Sequence, residues 1–454
     1  MRRIKFFSVS KLFGLFDHEI PMFLDDRVTL VHSPNGYGKT VILKLISGFF
    51  GGSLSIFANV EFEEVVFVLD DDTRISIRQG SDQRELLPVR PINARKAYTI
   101  TMDAQGKEYL YNSNDRRTDQ PPSVLASTID RYLPYLRRVA HRLWFDSNTS
   151  ENIGLDEVLE RYWDYLPVAG TGNRRGPPHP DWMQEIRKSV QCRLIETQRL
   201  LIIEKDSSYS KASMKPVVSE NASELARIIG LEFGRTARVA QTLDSSFPNR
   251  LLSKIRSKQP PPSEDVLMAR LKNLEEKRER LSKVGLFDPN IHSELVTQSD
   301  LNENERRILS EYVDDTTKKL DAYNVFLSKL EAFKRIINDH FQFKKIEIGQ
   351  ENGFKIVDTR GRTLPTDSLS SGEQHELVLL YDLLFKTSPG TLVMIDEPEI
   401  SLHVAWQRQF LDDLKDVIEL TQLDVLLATH SPQLIGANLD LTIQLQAPAN
   451  VVSH

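Results

Sequence analysis

The residues with the clearest capacity for chemistry form a short loop, Ser33 to Thr40, near the start of the chain. This loop, Ser-Pro-Asn-Gly-Tyr-Gly-Lys-Thr, follows an apolar run and opens a helical pattern. Gly36 and Gly38 let the backbone turn its N–H groups inward, and the helix amino end adds partial positive charge. The pattern predicts phosphate binding, with Lys39 reaching the β- and γ-phosphates and the Thr40 hydroxyl holding Mg²⁺.

The loop departs at one position from the phosphate-loop pattern, because Ser33 stands where that pattern has glycine. Serine fits there if its φ angle is negative. The alternative interpretation is a glycine-rich turn that merely contains a Lys-Thr pair. The candidate ATP-binding residues of the loop are Asn35, Gly36, Tyr37, Gly38, Lys39 and Thr40.

Two adjacent acids, Asp396 and Glu397, follow an apolar run at 391–395. A carboxylate at the carboxyl end of a strand lies beside the phosphate loop in an open α/β sheet. We expect Asp396 to hold Mg²⁺, directly or through water. We expect Glu397 to be the catalytic residue that orients and polarises the attacking water. The alternative is a strand that meets an ordinary acidic turn.

A serine-glycine motif precedes a later helical pattern, in the order Leu369-Ser370-Ser371-Gly372-Glu373-Gln374. Ser370 and Gly372 would lie at the amino end of that helix, where backbone N–H groups bind anions. Both are therefore candidate ATP-binding residues. Read by itself, the motif is also typical of an ordinary helix N-cap.

A histidine, His430, comes directly after the apolar run Val425–Ala428 and Thr429. At the end of a buried strand its imidazole would be placed to contact a γ-phosphate, which makes it a second candidate catalytic residue. The alternative is a histidine with only a structural hydrogen bond.

Composition limits the class of protein. The chain has 454 residues, 40% of them hydrophobic, and a formal net charge of −6, which is a globular balance that excludes wholesale disorder. Its one cysteine, Cys192, excludes an internal disulfide framework and fits a reducing compartment. No apolar run approaches the roughly 20 residues of a membrane-spanning helix. We therefore expect a cytoplasmic protein without a membrane part.

Hydrophobic periodicity predicts the elements that position these residues. Strand patterns occupy parts of 4–31, 58–79, 97–112, 344–357, 392–395 and 425–428. Helical patterns occupy 41–48, 122–165, 181–204, 221–244, 263–284, 299–341, 372–386 and 403–418. Since strands and helices alternate around the motifs, we expect an α/β fold with a mainly parallel sheet. An antiparallel β part and an inserted helical part with a short coiled-coil seam complete the prediction.

The order of the motifs resembles the ABC-type ATPase heads of the SMC, Rad50, RecF and OLD kind. The order is phosphate loop, long insertion, Leu-Ser-Ser-Gly-Glu, Asp-Glu and then histidine. The resemblance implies an N-terminal lobe at 1–205, a helical insertion at 206–340 and a C-terminal lobe at 341–454. It also implies a head-to-head homodimer that encloses ATP and Mg²⁺, with Ser370 of one subunit completing the other subunit's site.

The same resemblance implies a glutamine that contacts Mg²⁺ or the attacking water before the insertion. Gln198, in Ile195-Glu196-Thr197-Gln198-Arg199-Leu200, is the candidate, and Gln191 is its rival. The segment 399–403 corresponds to the dimer-interface loop of the family. His403 in that segment would contact the opposite site or only cap the next helix.

The chain most resembles the small ATPases of bacterial antiphage operons. The resemblance is carried by Leu12-Phe13-Gly14, Phe16-Asp17-His18, the Asn-Gly-Tyr-Gly-Lys-Thr loop and the motif around Gln198. It implies a homo-oligomeric scaffold with slow ATP turnover that holds a separate nuclease toxin. A phage protein would trigger release of the toxin. A scaffold that uses ATP only as an adhesive is a further alternative, against which the intact Asp-Glu pair argues.

A different class, a RecF- or SMC-like repair ATPase that binds DNA, is the alternative function. It requires a basic face, for which the candidates are Arg131, Arg137, Arg138 and Arg142, or Arg250, Lys254, Arg256 and Lys258. Binding through such a face would weaken steeply with salt. The net charge of −6 favours ordinary solvated helix faces instead.

Overall fold

The computed structural model describes residues 1–80, 96–104, 106–113, 122–140, 142–146, 151–155, 158, 162, 180–195, 201–205, 212–287, 301–400, 402 and 404–448. Its strands are β1 (Ile4–Leu12), β2 (Phe16–Pro21), β3 (Val28–His32), β4 (Glu64–Leu69), β5 (Arg74–Gln79), β6 (Tyr98–Ala104), β7 (Lys107–Asn112), β8 (Leu136–Ala140), β9 (Leu143–Asp146), β10 (Glu151–Gly154), β11 (Cys192–Ile195), β12 (Leu201–Lys205), β13 (Ala212–Pro216), β14 (Lys344–Gly349), β15 (Gly353–Asp358), β16 (Thr363–Leu364), β17 (Leu392–Asp396), β18 (Asp424–Thr429) and β19 (Thr442–Gln444).

The α-helices connect these strands. They are α1 (Lys39–Gly51), α2 (Ile56–Asn59), α3 (Pro122–Tyr132), α4 (Asp181–Ser189), α5 (Val217–Arg256), α6 (Glu264–Lys283), α7 (Glu303–Asp321), α8 (Asn324–His340), α9 (Ser371–Phe385), α10 (Val404–Thr421) and α11 (Pro432–Ile435). Among the described residues, no helix is both long and apolar enough to cross a bilayer.

A parallel sheet in the order β11-β17-β18-β3-β19 positions the motifs. Every neighbouring pair in it is parallel, with Asp396 level with Ala428 and Thr429 level with His32. The strands β17 and β18 are nearly continuous apolar runs because both faces of such a sheet are covered. Parallel strands bring their carboxyl ends to one edge. The segments that follow β3, β17 and β18 therefore meet there.

An antiparallel sheet in the order β2-β1-β4-β5-β6-β7 shares a core with α1. The helix buries Ile42, Leu45, Ile46 and Phe49, which recur at helical spacing on one face. The ring of Phe49 stacks on that of Phe67 of β4 with centroids 5.3 Å apart. The predicted fold class is confirmed, because a parallel sheet, antiparallel sheets and a helical part are all present.

The chain forms two compact units. The first comprises the described residues of Met1–Lys215 and Thr387–His454, and the second comprises Pro216–Lys386. The division predicted from the sequence, at 205 and 340, remains a prediction. The second unit also contains residues 341–386, which the sequence analysis assigned to the C-terminal lobe.

The second unit packs the long helices α5, α6 and α7 together and sets α8 against β14. The predicted seam of α6 is confirmed, since Leu267, Leu271, Leu274 and Leu281 are all buried. The single helix predicted over 299–341 is wrong, because the chain turns between α7 and α8. At this turn Tyr323 packs edge-on against Phe233 and Phe287, and this tertiary packing outweighs the continuous helical periodicity.

Two helical predictions in the first unit are also wrong. The helix predicted over 122–165 ends at Tyr132, because Pro134 disfavours helical backbone at the residue before it. The strands β8, β9 and β10 follow. The helix predicted over 181–204 ends at Ser189, and Cys192–Ile195 instead joins the parallel sheet beside β17. A short apolar run has the same sequence pattern in a helix and in a buried strand.

Candidate nucleotide-binding site

The loop from Ser33 to Thr40 leaves the carboxyl end of β3 and folds around the side chain of Lys39. The φ angles of Gly36 and Gly38 are +89° and +88°, in the left-handed region that favours glycine. The Lys39 ammonium donates to the carbonyl oxygens of Ser33 at 2.7 Å and Pro34 at 3.2 Å. Ser33 is buried and its φ angle is not positive, so serine fits at the position where the phosphate-loop pattern has glycine.

Gly38 is packed tightly, whereas Gly36 faces open space. A Cβ atom at Gly38 would lie 2.6 Å from Cδ2 of Leu12, and one at Gly36 would meet nothing within 4 Å. A pocket of about 320 Å³ opens above the loop. Its lining consists of Phe13, Asn35, Gly36, Gly38, Lys39, Thr40, Val41 and Glu397. Of the residues predicted to contact the nucleotide, five thus border one cavity: Asn35, Gly36, Gly38, Lys39 and Thr40.

Lys39 is a buried cation among carboxylates, with 5% of the residue exposed. Its ammonium lies 3.8 Å from Oε1 of Glu397. Burial lowers the pKa of Lys39 below its ordinary value, and the charges of Glu397, Glu399 and Asp396 oppose that shift. The site therefore combines a desolvated positive charge with nearby carboxylates.

Glu397 occupies a strained turn directly after β17. Its φ is +45°, unusual for a residue with a side chain. Its backbone N–H donates to the carbonyl oxygen of Ala428 at 2.9 Å, which holds this turn against β18. Asp396 ends β17 one residue earlier. The two predicted acids thus lie at the same sheet edge as the phosphate loop.

His430 lies beside two carboxylates at this edge. Its Nδ1 is 3.0 Å from Oε1 of Glu399 and 3.7 Å from Oε1 of Glu397. From the sequence, Glu399 was expected only as part of an interface loop. A signal was present, because Glu399 is the third acid in the run Asp396-Glu397-Pro398-Glu399.

His18 contacts the backbone of the phosphate loop. In the sequence, this residue stood out only as part of a motif that carries a resemblance. Its Nε2 lies 2.9 Å from the carbonyl oxygen of Tyr37. The ring of Phe16 contacts both, with centroids 5.6 Å from His18 and 5.4 Å from Tyr37. Burial lowers the pKa of His18, so the ring is neutral and donates to that carbonyl.

Ser370 caps the amino end of α9 in the second unit. Its hydroxyl accepts from the N–H of Glu373 at 3.3 Å, and its own N–H donates to the Glu373 carboxylate at 2.6 Å. Lys344 donates to the same carboxylate at 2.9 Å. Ser370 itself is exposed, and Gly372 lies in the first helical turn. Within one chain, the geometry at Ser370 is therefore that of an ordinary helix N-cap.

Gln198 and His403 lie outside the described residues. Gln191, the rival to Gln198, precedes β11 and accepts a hydrogen bond from the Thr391 hydroxyl at 3.3 Å. Its carbonyl accepts from the N–H of Leu392, the first residue of β17, at 2.8 Å. Gln191 therefore lies at the amino ends of the strands, on the opposite edge of the sheet from Lys39.

The basic face proposed for DNA in the second unit is partly neutralised. Arg250 donates to Glu311 at 2.7 Å and pairs with Asp315, while Lys254 lies 3.3 Å from Asp314. In the first unit Arg138 lies 3.3 Å from Asp130. Some of the candidate basic residues therefore form ion pairs with acidic residues on neighbouring helices.

The donor set suits a cation held jointly with phosphate oxygens. Within the part of the chain that the structure describes, no group of three or more His, Cys, Asp or Glu side chains is arranged to hold a metal ion. Mg²⁺ is usually bound by one or two protein oxygens together with substrate phosphates. The Thr40 hydroxyl and the Asp396 carboxylate would supply such oxygens.

Parts of the chain are similar to known proteins. Residues 217–436 match the family model described as "AAA domain, putative AbiEii toxin, Type IV TA system". The chain is 28% identical over 145 residues to the "DNA double-strand break repair Rad50 ATPase" of Sulfurisphaera tokodaii, which covers 30% of this chain and 15% of that protein. It is 33% identical over 93 residues to the "Probable iron chelatin transport ATP-binding protein" of Helicobacter pylori, covering 18% of this chain and 36% of that protein. The chain thus spans well under half the length of these relatives.

Solved structures of SMC heads are similar at low identity. The Smc head domain of Pyrococcus furiosus, with an extended coiled coil and bound to the C-terminal domain of ScpA, gives a TM-score of 0.34 at 14% identity, covering 98% of this chain and 93% of that chain. The SMC head domain from Thermotoga maritima gives 0.31 at 11% identity, covering 99% of this chain and 100% of that chain. Parts of the chain are thus similar in sequence to a Rad50 ATPase and to a transport ATP-binding protein.

Proposed function

We propose that this chain binds ATP and Mg²⁺ at the carboxyl edge of its parallel sheet and hydrolyses ATP slowly. One observation carries the proposal: the buried ammonium of Lys39 lies inside a glycine loop and 3.8 Å from Glu397. A buried cation beside a pocket attracts phosphate strongly, because solvent screens a buried charge less than an exposed one. The wider ATPase similarity supports the same chemistry.

Each side chain has a role in this proposal. Asn35, Gly36, Tyr37 and Gly38 supply the loop that holds phosphate oxygens, and Lys39 neutralises their charge. Thr40 and Asp396 would hold Mg²⁺, and the ion would supply positive charge beside the phosphates. Glu397 accepts a proton from water as that water attacks the γ-phosphorus, and ADP and phosphate leave. His430 contacts the γ-phosphate, and Gln198 is the further candidate for Mg²⁺ or water.

The cellular role that we propose is antiphage defence in the cytoplasm. The chain would act as an ATP-dependent homo-oligomeric scaffold like the AriA ATPase of PARIS systems. It would hold a separate AriB-like nuclease and release it on sensing a phage protein. Support comes from the N-terminal motifs that resemble these ATPases and from the toxin–antitoxin wording of the matched family.

Dimerisation belongs to this proposal. Two heads would enclose ATP, with Ser370 and Gly372 of one subunit completing the partner's site. In each chain the amino end of α9 is exposed at Ser370 and Ser371, and a helix amino end carries partial positive charge that favours anions. Higher assembly of such dimers would form the scaffold.

A native mass measurement tests the scaffold role. The chain is purified together with the product of the neighbouring gene, with and without ATP. A complex of several 52.0 kDa subunits with a bound partner is expected. A bare chain that only dimerises with ATP and binds DNA in a salt-sensitive manner would instead identify the repair-type ATPase.

A further inference from the structure

Glu399 is a buried carboxylate that joins two segments of the nucleotide site. The residue is 6% exposed. Its Oε1 accepts hydrogen bonds from the Thr429 hydroxyl at 2.7 Å, the His430 N–H at 2.7 Å and the Ser431 N–H at 3.2 Å. The same oxygen lies 3.0 Å from Nδ1 of the His430 ring. A single carboxylate oxygen thus holds the backbone and the ring of His430 together.

Gln407 of α10 closes this arrangement from the other side. Its amide nitrogen donates to the carbonyl oxygen of Glu399 at 3.1 Å, and its amide oxygen accepts from the Ser431 hydroxyl at 3.0 Å. We call Glu399, Gln407, Thr429, His430 and Ser431 the Glu399 network. Together with the bond from Glu397 to Ala428, it ties residues 397–399 to residues 428–431.

The charge of Glu399 is costly to bury and calls for a reason. Its Oε2 is buried and has no hydrogen-bond partner among the described residues. A buried carboxylate is tolerated when hydrogen bonds offset its desolvation, and here all of them fall on Oε1. A charged carboxylate restricts the orientation of its hydrogen-bond partners more than a neutral side chain would, because charge-assisted hydrogen bonds are shorter and stronger.

We propose that Glu399 is a positioning residue for ATP hydrolysis, which fixes the ring of His430 beside Glu397. The carboxylate binds the backbone N–H of His430 and lies against Nδ1 of its ring, so Nε2 is the ring nitrogen left to face the nucleotide site. Glu399 does not contact the reacting atoms; it acts through His430. This inference rests on the proposed ATPase function and adds a residue to it.

A double-mutant cycle tests this role. Glu399→Gln, His430→Gln and the double variant are compared in steady-state ATP hydrolysis. Glu399→Gln is expected to lower kcat by about tenfold or more and to change the KM for ATP by less than about threefold, since Lys39 keeps its contacts with its loop and with Glu397. The double variant should be no slower than His430→Gln alone by more than about twofold. The matched control is Glu419→Gln, an exposed glutamate on α10, which should hydrolyse ATP like the wild type.

Spectroscopy provides a readout that does not depend on turnover. In protein labelled with ¹⁵N-histidine, the ring-nitrogen signals of His430 should differ between the wild type and Glu399→Gln, because Nδ1 loses its carboxylate neighbour. His430→Gln identifies the signals. If Glu399→Gln does not fold, Gln407→Met, which loosens the same network from α10, should shift these signals in the same direction.

The outcomes separate the two proposals. Wild-type kcat in Glu399→Gln, multiplying effects in the double variant, or unchanged His430 ring-nitrogen signals would overturn the positioning role. A wild-type protein that releases no phosphate from ATP would overturn the proposed function, while the ring-nitrogen signals would still decide whether Glu399 acts on His430.

Discussion

The ammonium of Lys39 lies 3.8 Å from Oε1 of Glu397, although the two residues come from opposite ends of the chain. The same ammonium is bound by two carbonyl oxygens of its own loop. An incoming phosphate must therefore compete with a carboxylate for this cation. The proposed phosphate-binding group is thus paired with the proposed water-activating group before a nucleotide arrives.

This opposition gives the first prediction, for Glu397→Gln. Removal of the charge should strengthen ATP binding, because Lys39 loses its competing carboxylate. It should also lower kcat by at least about a hundredfold, because the amide cannot accept the proton of water. Equilibrium binding of labelled ATP and phosphate release measure the two effects. Turnover at the wild-type rate would remove Glu397 from the mechanism.

The second prediction concerns the cation itself. Lys39→Ala should weaken ATP binding on the order of a hundredfold, since a desolvated charge-assisted contact is lost, and should abolish antiphage protection. Lys44→Ala on the same helix, at an exposed position, is the matched control and should bind ATP normally. Unchanged ATP affinity in Lys39→Ala would contradict the phosphate-loop assignment.

The third prediction compares two glycines of one loop with nearly equal φ angles. Gly36→Ala should cost about 1–2 kcal/mol in unfolding free energy from backbone strain. Gly38→Ala should cost a further 1–3 kcal/mol, about the usual effect of overpacking, because its Cβ would lie 2.6 Å from Cδ2 of buried Leu12. Urea unfolding measures both. Equal losses would show that Leu12 moves aside without cost.

The fourth prediction is a pH dependence that comes from His18. Burial lowers the pKa of His18 in the folded chain below its ordinary value, against the effects of the Tyr37 carbonyl and Asp17. The unfolded chain therefore takes up a proton first as the pH falls through about 6.5. The stability contribution of neutral His18 is present above that pH and is lost as the pH falls toward the folded pKa. Relative to His18→Gln, whose amide keeps a donor for the Tyr37 carbonyl, the wild type should lose unfolding free energy between about pH 7.5 and about pH 5.5. A constant difference between the two proteins would contradict a buried neutral ring.

The fifth prediction separates two roles of Ser370. Ser370→Ala should lower the unfolding free energy by about 1 kcal/mol, because the helix loses its N-cap. Ser370→Asp keeps an N-cap acceptor and should retain stability. If Ser370 completes the partner's ATP site, the added charge should abolish ATP-dependent dimers in the Glu397→Gln background, as measured by sedimentation. Dimers that survive in Ser370→Asp would restrict this serine to capping.

Much of the candidate nucleotide site could be predicted, because each group of its residues lies in one short segment of the sequence. The phosphate loop and the Asp-Glu pair each occupy a contiguous segment after an apolar strand, so their types and spacing were readable. Glu399 was harder to interpret, since its partners lie thirty residues later in β18 and the turn after it. Spatial partners at that separation have no local signature in one sequence.

The errors in the fold have the same origin. The turn at Tyr323 depends on rings from α5 and from the segment after α6, and the strand Cys192–Ile195 depends on its pairing with β17. Local periodicity favoured helix in both places. The error over 122–165 has a different origin, because Pro134 marks the end of α3 in the sequence itself.

The pairing of β3 with β18 has a consequence for synthesis on the ribosome. Strand β3 is made early, but its hydrogen-bonded neighbours Val425–Thr429 emerge only after the whole second unit has been translated. The ion pair of Arg3 with Asp424 waits equally long. Residues 216–386 are contiguous and can fold first, while the apolar β3 stays unpaired. The nascent protein therefore completes the proposed ATP site last, and a truncated product carries the phosphate-loop sequence without the strand that orders it.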